Sequence, residues 1–407
     1  MKHSLNSLSI CTGALITAAL APAAHAFDVQ AGDWKLTVSG NVNADYIYSS
    51  CEEHPAAVAG GLACAGDVNG DKSSSVSNGL LPAALTIAAA TTQAGYDIGV
   101  DFGLYPGIST NDGGSPNIAN TSTSRNTALG SASLDVRQVF LTFGNKDMGT
   151  ILAGRNIGLF GADAILNDMT LLGVGGGNGN YASAFNTSLG SIGLGYIYTD
   201  WLSQIDYTTP DLSGLKVTVG IFDPINSLTA VGDPAAKKAP GFHAKVAYKL
   251  GTSLYLSASV LTQKQADSTG ISYTGTGFDI GGKYDIGGFE GLAWYYHGDG
   301  LGTTGLFVFS ADAAGRTRTS NGFLAQLTYK IVNTKFGVNY GQSKLARATG
   351  EINPTLVSKN DKWTVGVYHS LTPNLTLLAE VSGIKSEAQN GASNTSHNFN
   401  VGAFVSF

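Results

Sequence analysis

From Trp34 to Tyr48 the chain alternates in unbroken step. Trp34, Leu36, Val38, Gly40, Val42, Ala44, Tyr46 and Tyr48 share one side of an extended backbone, and Lys35, Thr37, Ser39, Asn41, Asn43, Asp45 and Ile47 the other. Successive side chains of a strand point to opposite faces, so the segment predicts a long β-strand with one apolar and one mainly polar face. Its apolar face begins and ends in aromatic residues, which suits a strand crossing a membrane between two aromatic girdles. The same period returns in Tyr96, Ile98, Val100 and Phe102, in Leu215, Val217, Val219 and Ile221, and in the runs 242–248, 278–284, 323–329 and 336–340. Along the chain it predicts sixteen strands, at 34–49, 81–92, 95–105, 134–144, 149–155, 201–208, 214–222, 241–249, 253–263, 276–284, 289–297, 321–329, 334–343, 361–369, 375–385 and 397–407.

The connections alternate in length. Those at 93–94, 145–148, 209–213, 250–252, 285–288, 330–333 and 370–374 hold at most five residues, while 50–80, 106–133, 156–200, 223–240, 264–275, 298–320, 344–360 and 386–396 hold at least eleven. A soluble sandwich or β-helix gives no reason for such asymmetry. Within a bilayer every backbone N–H and C=O must be paired inside the protein, and strands achieve this only as a closed barrel. The pattern therefore predicts an all-β fold: a transmembrane antiparallel β-barrel of about 16 strands, with long extracellular loops, short periplasmic turns and both termini on the periplasmic side. A barrel of this size leaves an aqueous channel. The longest connection, 156–200, carries Gly173-Val174-Gly175-Gly176-Gly177, whose backbone freedom suits a loop folded inward.

Composition narrows the class. Only 13% of the 407 residues are charged, 54 are Gly, and 23 Lys and Arg stand against 29 Asp and Glu, a formal net charge of −6. This excludes a coiled coil, a disordered acidic tail and a nucleic-acid binder, which needs a basic field for phosphate. The most apolar run after the N-terminal segment, 80–90, is interrupted by Pro82 and Thr86 and falls short of the roughly 20 residues a membrane-spanning helix needs. The first 26 residues read as a secretory signal: Lys2, the apolar stretch 10–20 and Ala24-His25-Ala26 predict cleavage before Phe27, leaving 27–407 as one barrel domain. Cys11 leaves with that segment. In an oxidising compartment the remaining Cys51 and Cys64, closing a short Gly- and Ala-rich loop, predict a disulfide; the rival metal pair lacks close spacing and a second ligand pair.

The last strand alternates Phe399, Val401, Ala403, Val405 and Phe407, and the sequence stops there. Together with "GDWKLTVSGNVNADYIY", "DVRQVFLTFGNKDMGTILAGRN" and "QIDYTTPDLSGLKVTVG", it gives the chain after the signal a resemblance to the Gram-negative general porin family along its whole length. The resemblance implies the outer membrane of a Gram-negative bacterium, contact with its lipid, and a homotrimer in which the second loop, 106–133, latches over a neighbour. It also implies that the barrel-assembly machinery reads the terminal Phe407. The third loop would form the pore constriction, with Asp163 and Asp168 as loop anions, Arg137 and Arg155 as wall cations, and Lys35 as a further one. Opposed rows of this kind set a field across the narrowest water and bias ion passage. The loop departs from the enteric pattern, having "LFGADAILNDMTLL" in place of "PEFGG", and Arg137 and Asp163 serve equally well as structural ion pairs pinning the loop to the wall. Arg137 shares parity with Val139, so pattern alone leaves its direction open; parity elsewhere turns Asp45, Asp97, Asp101, Asp206, Lys216, His243, Lys245 and Lys335 toward the lumen.

Other motifs add no chemistry. Asp67-Val68-Asn69-Gly70-Asp71 resembles the start of a calcium loop, but Lys72 stands where that loop needs Gly and Asn78 where it needs a bidentate acid, so an Asx-rich turn is expected and no metal. The run 177–182 has a relaxed dinucleotide spacing without a βαβ unit around it. Beyond the signal, His54, His243, His297, His369 and His397 are scattered, and neither G-x-S-x-G nor H-E-x-x-H occurs, so neither an enzyme nor a cofactor is expected. The expected function is a water-filled channel for passive diffusion of ions and small hydrophilic solutes. A solute-selective channel is the alternative within the class, and an outer-membrane barrel enzyme or a loop-based receptor or adhesin the alternatives outside it.

Overall fold

Eighteen strand segments account for most of the residues described in the computed structural model, which are 26–52, 56–64, 72–108, 134–177, 187–227, 233–235 and 237–407. The signal segment up to residue 25, the acidic run 67–71, most of the second loop and residues 178–182 of the Gly-Asn run lie outside these residues. The segments are β1 (Phe27–Ala31), β2 (Trp34–Cys51), β3 (Lys72–Ser77), β4 (Ala84–Gln93), β5 (Tyr96–Pro106), β6 (Leu134–Asn145), β7 (Gly149–Ile157), β8 (Trp201–Thr208), β9 (Leu215–Phe222), β10 (Gly241–Leu250), β11 (Leu254–Ala266), β12 (Ser272–Ile286), β13 (Phe289–Asp299), β14 (Thr319–Ile331), β15 (Thr334–Leu345), β16 (Val357–Ser370), β17 (Leu375–Ala388) and β18 (Ser393–Ser406). One short helix, α1 (Ala162–Leu166), lies in the β7–β8 connection.

These segments make sixteen staves. On one edge of β2, Asn41 pairs with Ser406 and Val38 with Phe27, so β18 and β1 run on as a single stave with Phe407 and Phe27 meeting between them. The Phe27 and Phe407 ring centroids are 6.4 Å apart, and the Phe407 backbone exchanges two hydrogen bonds with Gly40. On the other edge, β3 pairs through Asp45 with Ser77 and β4 through Asn41 with Ala84, a second composite stave. All other neighbours pair antiparallel in chain order, and the circle closes as a 16-stranded antiparallel barrel.

Alternation sets the two faces. Val42, Phe102, Leu141, Ile205, Val219, Val246, Ile280, Leu327, Val365 and Val401 stand exposed around the outside, a continuous apolar band that only lipid or protein can cover. Near the short turns the band ends in aromatics, among them Phe289 and Tyr329, stacked at 4.2 Å. Two connections expected to be long are short: β11 and β12 stay paired to Ala266 and Ser272, and β17 and β18 to Glu387 and Ser393, leaving only 267–271 and 389–392 between the paired strands. There the outward positions turn polar while the hydrogen-bond ladder continues, so the apolar period stops before the strand does.

A second departure lies in β6. Gly103 pairs with Gln138 and Leu104 with Val136, so Arg137 is the extra residue of a β-bulge. The bulge shifts the phase: Asp135, Arg137 and Gln138 are all buried, while Val136 and Val139 are exposed. Arg137 therefore turns inward although it shares parity with the outward Val139.

Candidate functional site

Inside the barrel the β7–β8 connection, residues 158–200 (L3), crosses the lumen and returns. Its outgoing limb touches the wall at β12, β14 and β17. The Gly161 N–H donates to Asp279 Oδ2 on β12 at 2.6 Å, the Met169 N–H to Gln326 on β14, and the Val174 and Gly175 N–H groups to Glu380 Oε2 on β17 at 2.9 and 2.8 Å. Gly173 abuts Glu380 so closely that an added Cβ would stand 2.2 Å from Oε1, which is why the glycine run falls here. The returning limb lies over the first: Lys362 on β16 donates to the Gly190 carbonyl at 2.8 Å, and the Tyr198 N–H to the Thr304 carbonyl at 2.7 Å.

L3 does not cross alone. Leu62 and Ala63 of the β2–β3 connection (L1) join Leu80, Ile165, Leu171, Leu189, Ile192, Leu194, Tyr196, Trp201, Trp294 and Leu324 in one buried apolar cluster. A second cluster packs Phe160 and Ile197 of L3 against Leu301, Leu306 and Phe307 of the β13–β14 connection (L6). The long-loop half of the lumen is thus largely a packed core. Between L3 and the β2–β7 wall a cavity of about 90 Å³ remains, with Arg137, Tyr105, Trp201 and Leu80 among its lining; beneath L3, toward the short turns, the lumen opens into a vestibule of about 570 Å³.

The charges named from sequence take different places in this frame. Asp163, on α1, accepts from Lys245 Nζ at 3.1 Å, Tyr255 Oη at 2.8 Å and Ser257 Oγ at 2.6 Å. Burial alone would raise its pKa; the Lys245 charge and the two hydroxyls outweigh that and hold it below the ordinary 3.8. Asp168 is taken up by the loop and the wall, accepting from Thr170, from Tyr196 Oη at 2.9 Å and from Asn339 of β15. Arg137 is buried in the wall, its Nε 2.9 Å from Asp135 and its guanidinium over the rings of Tyr105 and Trp201 at 5.1 and 5.7 Å. The loop acids and wall arginines therefore do not oppose each other: Asp163 is paired with Lys245 of β10, and Arg137 with Asp135 of its own strand.

Two of the expected constriction residues lie elsewhere. Arg155 pairs with Val139 and Ser203, both on the outer face, and shares that face with Ile151 and Ala153; its Nε donates to the Val136 carbonyl. Strand parity, which aligns Arg155 with its outward neighbours, overrides the place that family position gave it. Lys35 does face inward, but at the short-turn rim, paired with Asp28 of β1 at 2.9 Å and remote from L3. Cys51 and Cys64 are joined, with Sγ atoms 1.94 Å apart, and close a segment at the opposite mouth.

The residue that the sequence left without a partner is Lys245, 82 positions from Asp163 and turned inward by parity alone. It belongs to a basic triangle: Lys216 of β9 pairs opposite Ala247 of β10, with Lys245 and Lys249 two residues to either side. All three line the vestibule. Of its acids, Asp206 holds His243 Nε2 at 2.7 Å and Asp211 accepts from the Gly214 N–H; Asp163 of α1 neutralises Lys245. Among the described residues Lys216 and Lys249 form no ion pair.

An even-stranded barrel with an apolar outer band, a polar interior and a loop folded into its lumen defines an outer-membrane channel. The family comparison agrees: the Gram-negative porin profile matches residues 12–389, and the chain belongs to that family. It is a channel for solute diffusion across the outer membrane. Among solved structures, the outer membrane channel DcaP of Acinetobacter baumannii superposes with a TM-score of 0.69 at 16% identity, covering 94% of this chain and 99% of that one. An anion-selective porin from Comamonas acidovorans gives 0.61 at 13% identity, covering 92% and 100%, and Salmonella typhi OmpF gives 0.59 at 13%, covering 94% and 100%. A search of curated protein sequences returns no match.

Proposed function

We propose that this porin carries small hydrophilic solutes with a preference for anions. The observation that supports this is the basic triangle of the vestibule, in which Lys245 is neutralised by Asp163 while Lys216 and Lys249 face the water without an ion-pair partner among the described residues. The acids of the opposite wall are withdrawn from it: Asp45 and Asp101 are buried in the β2 and β5 staves, and Glu380 is taken up by Tyr368 and the L3 backbone. Within a screening length of about 8 Å at physiological salt, a permeating ion in the vestibule meets the ammonium groups of Lys216 and Lys249 together with the exposed Asp211, while Asp206 is held by His243. Reversal potential under a KCl gradient tests the preference.

The same reading takes the long loops as extracellular, with Arg155 and the apolar band outside, and the protein as a homotrimer, the assembly that an OmpT structure of Vibrio cholerae, similar in fold, names in its trimer form. Cleavage before Phe27, recognition of Phe407 by the assembly machinery and contact with outer-membrane lipid belong to this proposal. The family and fold are those of a channel rather than of an enzyme.

A further inference from the structure

We propose that the disulfide-closed segment of L1 is a strap that sets the aperture of the pore by clamping the returning limb of L3. The inference rests on the channel reading and adds a determinant that lies outside L3 itself.

The strap begins where β2 ends. Cys51 is tied to Cys64 across 13 positions, with Cα atoms 5.2 Å apart. Residues 59–63 of the strap are stitched to two neighbouring staves: the Ala59 N–H donates to the Thr355 carbonyl at 2.8 Å and the Val357 N–H to the Ala59 carbonyl at 2.9 Å, while Asn360 Nδ2 donates to the Gly60 carbonyl. The Leu62 and Ala63 N–H groups both donate to Ser386 Oγ at 2.8 Å, and that hydroxyl donates in turn to Asn360 Oδ1 at 2.6 Å. These bonds hold the strap against β16 and β17 and aim Leu62 into the lumen.

Leu62 lands on the returning limb of L3. A Cβ at Gly193 would stand 2.8 Å from Leu62 Cδ1, and Gly193 has φ 68°, so backbone and side chain fit there without clearance. Leu194 and Tyr196, the next residues of that limb, are buried in the same cluster as Leu62. Tyr196 also holds Asp168 of the outgoing limb. The strap, the returning limb and the outgoing limb are thus one packed stack, and its position relative to the β2–β7 wall decides how much of the lumen is left.

The crosslink carries more weight than any single hydrogen bond in this arrangement. Without it, L1 is an open connection from Cys51 to Lys72, and Cys64 is no longer held beside the end of β2. Leu62 would then leave the stack for part of the time, and the returning limb would be free to move away from the wall.

Single-channel recording of the purified, bilayer-reconstituted protein tests this, with tris(2-carboxyethyl)phosphine added to the long-loop side. Reduction is expected to raise the open conductance about twofold and to increase open-channel noise. A Cys51→Ser/Cys64→Ser double variant should start at the reduced level and ignore the reductant. Leu62→Ala, with the disulfide intact, should move conductance in the same direction. Unchanged conductance and noise after reduction, in protein shown by heat-modifiable gel mobility to remain a folded barrel, would overturn the strap, as would a Leu62→Ala channel indistinguishable from the parent. Absence of any conductance before reduction would instead count against the channel reading.

Discussion

Asp163 on α1 and Lys245 on β10 meet at 3.1 Å inside the lumen, and through that contact a loop acid is consumed in fastening L3 rather than in facing the permeating ion. Tyr255 and Ser257 complete the fastening from β11. Removing one partner of a buried pair strands the other, at a cost of roughly 3 kcal/mol. Lys245→Met is therefore expected to loosen L3 more than Asp163→Asn, which keeps an acceptor for Tyr255 and Ser257. Open-channel noise in planar bilayers measures this; equal noise in both variants and the parent would contradict it.

The same contact fixes a pH dependence. The carboxyl of Asp163 is held below the ordinary 3.8 in the folded protein, so its fastening is complete above that value and is lost as pH falls through the lowered folded pKa. Noise should stay flat from neutral pH down to about pH 4 and rise in stronger acid, and the rise should be missing in Asp163→Asn.

Gly220 of β9 lies between Asp206 of β8 and His243 of β10, and its missing side chain lets those two reach each other over it. A Cβ at Gly220 would sit 1.6 Å from Asp206 Oδ1. Gly220→Ala is expected to part the pair and leave two buried polar groups unsatisfied, costing about 2 kcal/mol. The temperature at which the folded gel band converts to the unfolded one should fall, and an unchanged transition would show that the wall yields there without loss.

Much of this was readable in advance because a barrel stave obeys a period of two over its whole length. Strand number and lumen-facing Lys216, Lys245 and Asp206 follow from alternation and chain length. What alternation cannot carry is a change of phase: the bulge at Arg137 is one residue inserted into a strand, and its signature, Arg137 and Val139 in step but on opposite faces, becomes visible only with the partner β5 in place. Arg155 differs for the opposite reason: its outward parity with Ile151 and Ala153 is legible in the sequence, and family position points the other way. The partners of Asp163 and Leu62 were out of reach because they come from staves far along the chain, brought close only by closure of the circle.

Phe407 seals the seam between β18 and β1, its ring beside Phe27 and its backbone on Gly40. Deleting it removes both contacts and the proposed assembly signal. Yield of barrel in the outer membrane should drop more than the stability of barrel refolded in detergent, and equal losses in the two assays would assign Phe407 a purely structural part.

The most direct test of the account is the zero-current potential of the reconstituted channel between concentrated and dilute KCl. The basic triangle predicts that the dilute side becomes negative, because chloride crosses ahead of potassium, and that Lys216→Glu/Lys249→Glu moves the potential toward or past zero. A dilute side that becomes positive in the parent protein, or a potential that the double substitution leaves unmoved, would contradict it.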